Sequence, residues 1–244
     1  MNMFAKFVSR LRAEYYMWQI RILGKARYRD KYGLRYYLWA DSRPLSTIAK
    51  RVRTDDTGVI SQIFTVLDPL KDLDRPVVCI DVGAHAGIIS LSLASRIGPS
   101  GIVHAFEPDS NNNTRLQENI RLNDFGEVIH THLLALSDER GTGHLTLTDD
   151  PGNHYLSGQS SGVLGNSERV KIDTLENFVA DAGITSVDLL KIDAEGVDDK
   201  VLVGTGVLLK DGRVSYVIAE VIEGEECGNH VLSILKSYSY DIYF

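Results

Sequence analysis

Between Val77 and Leu93 the chain reads VVCIDVGAHAGIISLSL. Four apolar residues run into Asp81, two glycines, Gly83 and Gly87, frame a tight turn, and a second apolar run follows. That order describes a buried strand turning directly into a helix. Glycine reaches backbone conformations closed to other residues and lets the main chain approach a ligand with no Cβ in the way. The stretch therefore calls for an α/β layer architecture with a ligand at the carboxyl end of its first strand.

From residue 76 onward the sequence keeps to that plan. Strand one is Val77–Asp81, and a helix is predicted from about Ala86 to Ile97, closed by Gly98-Pro99. Strand two, GIVHAFEP, ends at Glu107, and Asp109 or Ser110 caps a helix running to about Asn123. Strand three lies near Val128–Leu133, and GHLTLT alternates like a strand. RVKIDTLENFV gives a short strand and then a helix that Asp173 and Glu176 open as a capping box. VDLLKIDAEG is strand four and SYVIAEV strand five. A helix around Asn229–Lys236 leads to a last strand expected at about Tyr240–Phe244. Such alternation implies a doubly wound, mostly parallel sheet, which binds ligands at the carboxyl ends of its strands. The acids gather there: Asp81, Glu107, Asp193 with Glu195, and Glu220.

The turn argues for a particular kind of cofactor. A dinucleotide loop wants G-x-G-x-x-G, and here His85 stands where the middle glycine belongs, which costs a pyrophosphate its closest backbone approach. Asp81, two residues before the first glycine, is unfavourable beside a pyrophosphate and favourable beside a cationic sulfonium amino acid. Glu107, twenty residues after Gly87, suits the two ribose hydroxyls. These features favour S-adenosylmethionine over a nicotinamide dinucleotide.

IDVGAHAGIIS, VHAFEPD, ALSDERG and LLKIDAEGVDDKVLVG, in this order and at these spacings, resemble the FkbM-type family of S-adenosylmethionine-dependent methyltransferases over about residues 57–244. The resemblance implies a Rossmann-like class I methyltransferase fold and O-methylation of a sugar or other small natural-product hydroxyl. It implies that Asp81, Gly83, Ala84, His85 and Gly87 line the methionine moiety, that Glu107 binds the ribose with Pro108 beside the adenine, and that Ser137 and Asp138 border the adenine ring. Asp193 and Glu195 would face the acceptor. Members of the fold close with an antiparallel hairpin, and Phe244 falls near the end of its penultimate strand, so the hairpin is expected to be incomplete.

An aliphatic hydroxyl must lose its proton as it attacks, and Asp193 and Glu195, the close acid pair at the end of a central strand, are the candidate general bases. Two other assignments stay open for them: Asp193 on the amino group of the cofactor, and Glu195 capping a helix near Gly196. Glu220 reads as a positional or substrate-binding acid. His85 has a backbone role in the turn, and His154 is an alternative base beside the covering loop, residues 149–167. No His/Cys spacing marks a metal site, although a divalent ion bridging Asp193, Glu195 and Glu220 stays an alternative.

The net charge of −7 hides an asymmetry. Residues 1–53 carry 13 Lys/Arg against three acids, a net of +10, and residues 54–244 carry 13 against 30, a net of −17. The acidic body argues against nucleic acid as substrate. The basic arm holds half of the aromatics, and Phe4, Val8, Leu11, Tyr15, Trp18 and Ile22 form a helical stripe. Three readings stay open for this helical arm: an aromatic face docked on the methyltransferase domain (54–244) or a second subunit, an interfacial helix at an anionic membrane, or a cap over the acceptor site. Two distant cysteines, Cys79 and Cys227, suit a reducing compartment, and the N-terminus makes a poor signal peptide, so a cytoplasmic location is expected, with the membrane periphery as an alternative. A protein-directed methyltransferase, a non-catalytic assembly protein that keeps the loop, and a nicotinamide-linked oxidoreductase are the rival functions.

Overall fold

The computed structural model describes residues 14–39, 58–148, 154–157, 166–221 and 225–243. The chain enters through a helix, α1 (residues 14–23), and an antiparallel hairpin, β1 (Lys25–Arg29) and β2 (Arg35–Trp39). A second helix, α2 (Gly58–Leu67), leads through a 3-10 turn at Asp68–Asp72 into the domain proper. There β3 (Val78–Val82), α3 (Ile88–Ile97), β4 (Ile102–Phe106), α4 (Ser110–Leu122) and β5 (Ile129–His132) alternate. Three strands follow an initial short one: β6 (Ala135–Leu136), β7 (Gly141–Thr146), β8 (Tyr155–Ser157) and β9 (Ser167–Asp173). Then come α5 (Leu175–Asp181), β10 (Val187–Ile192), α6 (Asp198–Val203), α7 (Gly206–Lys210), β11 (Val214–Ala219) and α8 (Glu226–Ser237).

Five strands form the central sheet in the order β11-β10-β3-β4-β5, every pair parallel. The reversal of direction at β3 puts the switch point where the glycine turn leaves the sheet. Side chains alternate between two cores. Cys79, Val103, Ala105 and Leu189 pack toward α3 and α4, whereas Ile80, Val82, Phe106 and Leu190 pack toward α5 to α8. Burial on both faces explains why β10 reads as an unbroken run, every residue of it buried. A second sheet, in the order β6-β9-β7-β8, folds beside the carboxyl edge of the first.

Several sequence expectations need correction. The arm is helical over 14–23, but 25–39 is a hairpin. Its period is two: Ala26 and Tyr28 on β1 and Tyr36 on β2 are buried and Leu38 is half-buried, which the density of basic and aromatic residues masked. The cap of α5 is Thr174, whose hydroxyl oxygen accepts from the Asn177 N–H at 3.1 Å, and Asp173 supports it by accepting from the Thr174 N–H. The helix after the glycine turn begins at Ile88, because Gly87 sits left-handed at φ +90°. Residues 240–243 form no strand: Tyr240 instead spends its hydroxyl on the Val214 carbonyl. Phe4, Val8, Leu11 and most of the covering loop lie outside the described residues.

The hairpin docks firmly. Tyr37 N–H donates to Asn119 Oδ1 at 2.8 Å, Arg35 exchanges two hydrogen bonds with Asn123, and Lys25 pairs with Glu118 at 2.6 Å. Asn119 passes the contact on, donating to the Ala86 carbonyl in the glycine turn at 2.8 Å.

Candidate cofactor and methyl-transfer site

The turn after β3 is pinned to the end of β4. Gly83 and Ala84 donate their N–H groups to the Phe106 carbonyl at 3.1 and 2.9 Å. Gly83 lies at φ +72°, where a Cβ would stand 1.8 Å from the Asp193 carbonyl oxygen. At Gly87 a Cβ would come within 2.5 Å of Leu116 Cδ1. Close packing against backbone therefore demands Gly83 before any ligand is considered, whereas at Gly87, where the neighbour is the tip of a leucine, the φ of +90° is what favours glycine. Between them His85 takes φ +49°, a conformation uncommon for a residue with a side chain, and this aims its N–H at Glu107.

Glu107 is buried just past β4. One oxygen accepts from His85 N–H at 2.7 Å and the other from Asp109 N–H at 2.9 Å. Burial pushes its pKa up to about 7, against the pull of those two donors. Each oxygen keeps a further lone pair, which suits a pair of vicinal hydroxyls.

The register sets Lys191 of β10 opposite Asp81 of β3, on one face of the sheet. Lys191 Nζ lies 3.1 Å from Asp81 Oδ1 and 3.6 Å from Asp193 Oδ2, and it donates to the Val82 and Gly83 carbonyls at 3.2 and 3.1 Å. Burial pulls its pKa down, but the Asp81 and Asp193 carboxylates more than offset this and hold the ammonium above its ordinary range. Ser90 donates its hydroxyl to the other Asp81 oxygen at 2.5 Å. The Asp81 charge is thus answered inside the wall and does not face a ligand directly.

These elements enclose a cavity of about 300 Å³. Of the residues expected from sequence, Gly83, Ala84, His85, Glu107, Pro108, His154, Asp193 and Glu195 line it. Asp81 and Gly87 support its wall from behind. Ser137 is buried, with its N–H on the Asp173 carbonyl and its hydroxyl on Asp138, and neither of the two lines the cavity. Glu220, exposed just past β11, also stays outside the lining. Leu145 and Leu156 come over the cavity from β7 and β8. Ser110 at the start of α4 ties this roof down through its hydroxyl, 3.2 Å from Glu168 of β9.

His154 Nδ1 accepts from the Thr148 N–H at 3.1 Å, which leaves the proton of the neutral ring on Nε2, 3.8 Å from Asp109. In that tautomer the Nδ1 lone pair of His154 is engaged by the main chain, and the carboxylates of Glu107, Asp193 and Glu195 line the same cavity. Glu195 adopts φ +50°, ahead of Gly196 at φ +90°. Strain of this kind costs about 1–3 kcal/mol and gathers at functional positions. α6 starts only at Asp198, so Glu195 does not cap it. Asp198 accepts from the Ala194 N–H at 3.1 Å; burial raises its pKa against that donor, with the Asp193 charge adding to the rise. Among the described residues no group of three or more His, Cys, Asp or Glu is spaced to hold a metal ion.

Lys191 is the site residue that sequence reasoning passed over. Its signal was present: a lysine inside a strand that is otherwise buried needs a buried counter-charge. Val59 and Asn112 were missed as well; they line the cavity from α2 and α4.

Five parallel strands in this order, a glycine turn after the central one and an acid after its neighbour make this a class I methyltransferase fold. The residues fit S-adenosylmethionine: a glycine cradle, a diol acceptor at Glu107, apolar Leu134, Leu145 and Leu156, and a wall in which carboxylates outnumber the one lysine. Residues 81–242 match the methyltransferase FkbM domain model, and the chain belongs to that family of S-adenosylmethionine-dependent methyltransferases. A curated relative, 31-O-demethyl-FK506 methyltransferase FkbM of Streptomyces tacrolimicus, is 26% identical over 197 residues, covering 68% of this chain and 73% of the relative. Among solved structures, methyltransferase FkbM from Methylobacillus flagellatus KT is similar at 13% identity and a TM-score of 0.46, over 80% of this chain; the match spans only 46% of that protein. An S-adenosylmethionine-dependent methyltransferase from Agrobacterium tumefaciens is 9% identical with a TM-score of 0.49, over 88% of this chain and 58% of that one.

Proposed function

We propose that this methyltransferase acts on oxygen, at a hydroxyl of a sugar or another small natural product, in the cytoplasm. The observation that carries the reading is the acid pair Asp193 and Glu195 at the cavity wall, beside a buried, charged Lys191. The printed name of the curated relative, a 31-O-demethyl-FK506 methyltransferase, supports oxygen as the nucleophile.

When bound, S-adenosylmethionine supplies a methyl group already activated on a sulfonium. The chain has to align the acceptor and take up its proton. Good alignment is worth about 7–11 kcal/mol, and a positioned base adds roughly 10²–10⁴-fold. Asp193 takes the hydroxyl proton in this reading. Lys191 holds that carboxylate and fixes the Val82 and Gly83 carbonyls at the turn. Glu107 grips the ribose, and the leucines of the roof keep water out. Glu195 binds the acceptor alongside Asp193, and Glu220, just past β11 and outside the lining, is assigned to the substrate in the same reading.

The test has two stages. S-adenosylhomocysteine at 100 times its dissociation constant stabilises the protein by about 2.7 kcal/mol, and NAD does not. A panel of glycosides and hydroxylated natural products, followed by mass spectrometry for methyl gain, then yields a product with the wild type and none with Asp193→Asn/Glu195→Gln. Methylation of a protein instead of the panel, or equal turnover by the double variant, overturns the reading.

A further inference from the structure

The helical stripe read from the sequence turns out to point away from the protein. At about 100° per residue, Tyr15, Trp18 and Ile22 fall within about 60° of one another on α1, and Ile20 lies nearly opposite. It is Ile20 that is buried, packed with Ala26, Tyr16 and Leu38, and Tyr16 stands edge-on to Tyr28 at 5.8 Å. Tyr15, Trp18, Ile22 and Leu23 are each more than half exposed. Soluble proteins seldom leave several large apolar side chains together on one helix unless the surface is used.

We propose that this face of α1 docks on an anionic lipid bilayer. Its charge favours that occupant. Residues 14–39 hold six Lys/Arg and two acids. On α1 itself exposed Arg21 and Glu14 flank the stripe; Arg27 and Arg29 are exposed on the face of β1 opposite Ala26 and Tyr28, while Asp30 is spent on the hairpin turn, accepting from the Tyr32 and Leu34 N–H groups. Cations beside Trp and Tyr suit the headgroup level, where the ring body is buried and the charge meets lipid phosphate. A second copy of the chain fits less well: pairing this face about a two-fold axis sets one basic arm against another.

Position adds to the argument. β2 runs along α4 from Asn123 through Asn119 to Arg115, which lies over the Trp39 ring at 5.2 Å. It therefore climbs toward the amino end of α4, the end next to Glu107 and the cavity. Lys25 pairs with Trp39 at that same end, and Ile22 and Leu23 immediately precede it. The carboxyl end of α1 thus lies toward the cavity end of the molecule, where a bilayer along the helix can hold an acceptor that is itself membrane-associated.

Phosphatidylcholine vesicles with and without phosphatidylglycerol provide the test, read by co-sedimentation and by tryptophan emission. The full chain sediments with phosphatidylglycerol vesicles at low salt, its emission shifts to the blue, and both effects fade at high salt. Trp18→Phe keeps the sedimentation and loses most of the shift, since Trp39 alone is left to report. Trp18→Glu/Ile22→Glu loses at least tenfold in binding and keeps the wild-type melting temperature, because both side chains are exposed. Failure to bind phosphatidylglycerol vesicles, or equal binding by the double variant, overturns the proposal. So does concentration-dependent self-association that the double variant abolishes in the absence of lipid.

Discussion

Two ion pairs join β3 to β10, one at each end of the strands, and they are built differently. At the amino end Arg75 grips Asp188 with two hydrogen bonds, 2.8 and 2.6 Å, and Asp188 also accepts from the Val78 N–H. At the carboxyl end Lys191 meets Asp81. Both carboxylates are buried, but the Arg75 side chain is 44% exposed and the Lys191 side chain 6%. Arginine, planar and weakly hydrated, makes a clamp that water can back up. Lysine, a point charge with three donors, reaches two carboxylates and two carbonyls at once. One end of the strand pair is fastened to the outside, and the other holds the wall of a cavity. Only the cavity end keeps a cation where it can act on a ligand.

Removing the lysine gives the largest expected effect. Lys191→Met leaves Asp81 buried without its counter-charge and costs about 3–5 kcal/mol in urea unfolding. Turnover falls by about 10²-fold as the turn carbonyls and Asp193 lose their anchor. Adding Asp81→Asn recovers most of the stability and little of the turnover. Should turnover return with stability, the carboxyl-end pair is a clamp like the other and the contrast collapses.

Gly83→Ala comes next. The new Cβ meets backbone, the Asp193 carbonyl, at a φ that suits glycine, so the β3 and β10 loops must part. Strain of about 1–3 kcal/mol corresponds to a loss of roughly 5–150-fold in S-adenosylhomocysteine affinity, measured by calorimetry. An unchanged affinity would mean that the close approach of the two loops is not part of the ligand site.

A pH profile sharpens the contrast further. Glu107 has its pKa raised by burial from 4.5 to about 7. Between those values the folded protein holds a proton that the unfolded chain has released, so apo stability falls as pH rises through the window and levels off above it. A ribose diol is better accepted by the ionised carboxylate, so S-adenosylhomocysteine affinity rises through the same window. Glu107→Gln flattens both curves. Melting curves with and without S-adenosylhomocysteine from about pH 5 to about pH 8 read both slopes.

What the sequence revealed and what it hid follow from the range of the forces. The glycine turn, the strand ends and the acids at Glu107 and Asp193 rest on local patterns and are legible. The Lys191–Asp81 pair depends on the register of two strands far apart in sequence, and no local pattern carries register. The α1 stripe is similar. Its period from Phe4 to Ile22 gives a helix, which the described part, residues 14–23, forms, but periodicity does not say which face meets the protein, and Ile20 with Tyr16 won that contact. His154 was legible as a cavity residue. Its tautomer was not, because that depends on the Thr148 N–H. The hairpin is not legible because its period-two signal, Ala26 with Tyr28 and Tyr36 with Leu38, is short and interleaved with basic and aromatic residues.

Arg75→Ala is the smallest expected effect and the control for the whole comparison. The substitution removes both hydrogen bonds to Asp188, but Val78 still donates to that carboxylate, and the space left by a half-exposed guanidinium admits water. The cost is about 1–3 kcal/mol in unfolding, less than for Lys191. Turnover and S-adenosylhomocysteine affinity stay within about twofold of wild type at a temperature well below the transition, because no atom of this pair reaches the cavity. A loss of turnover comparable to that of Lys191→Met, at the smaller cost in stability, would show that the amino end of β10 transmits to the site through the strand. The two ends would then have to be treated as one device.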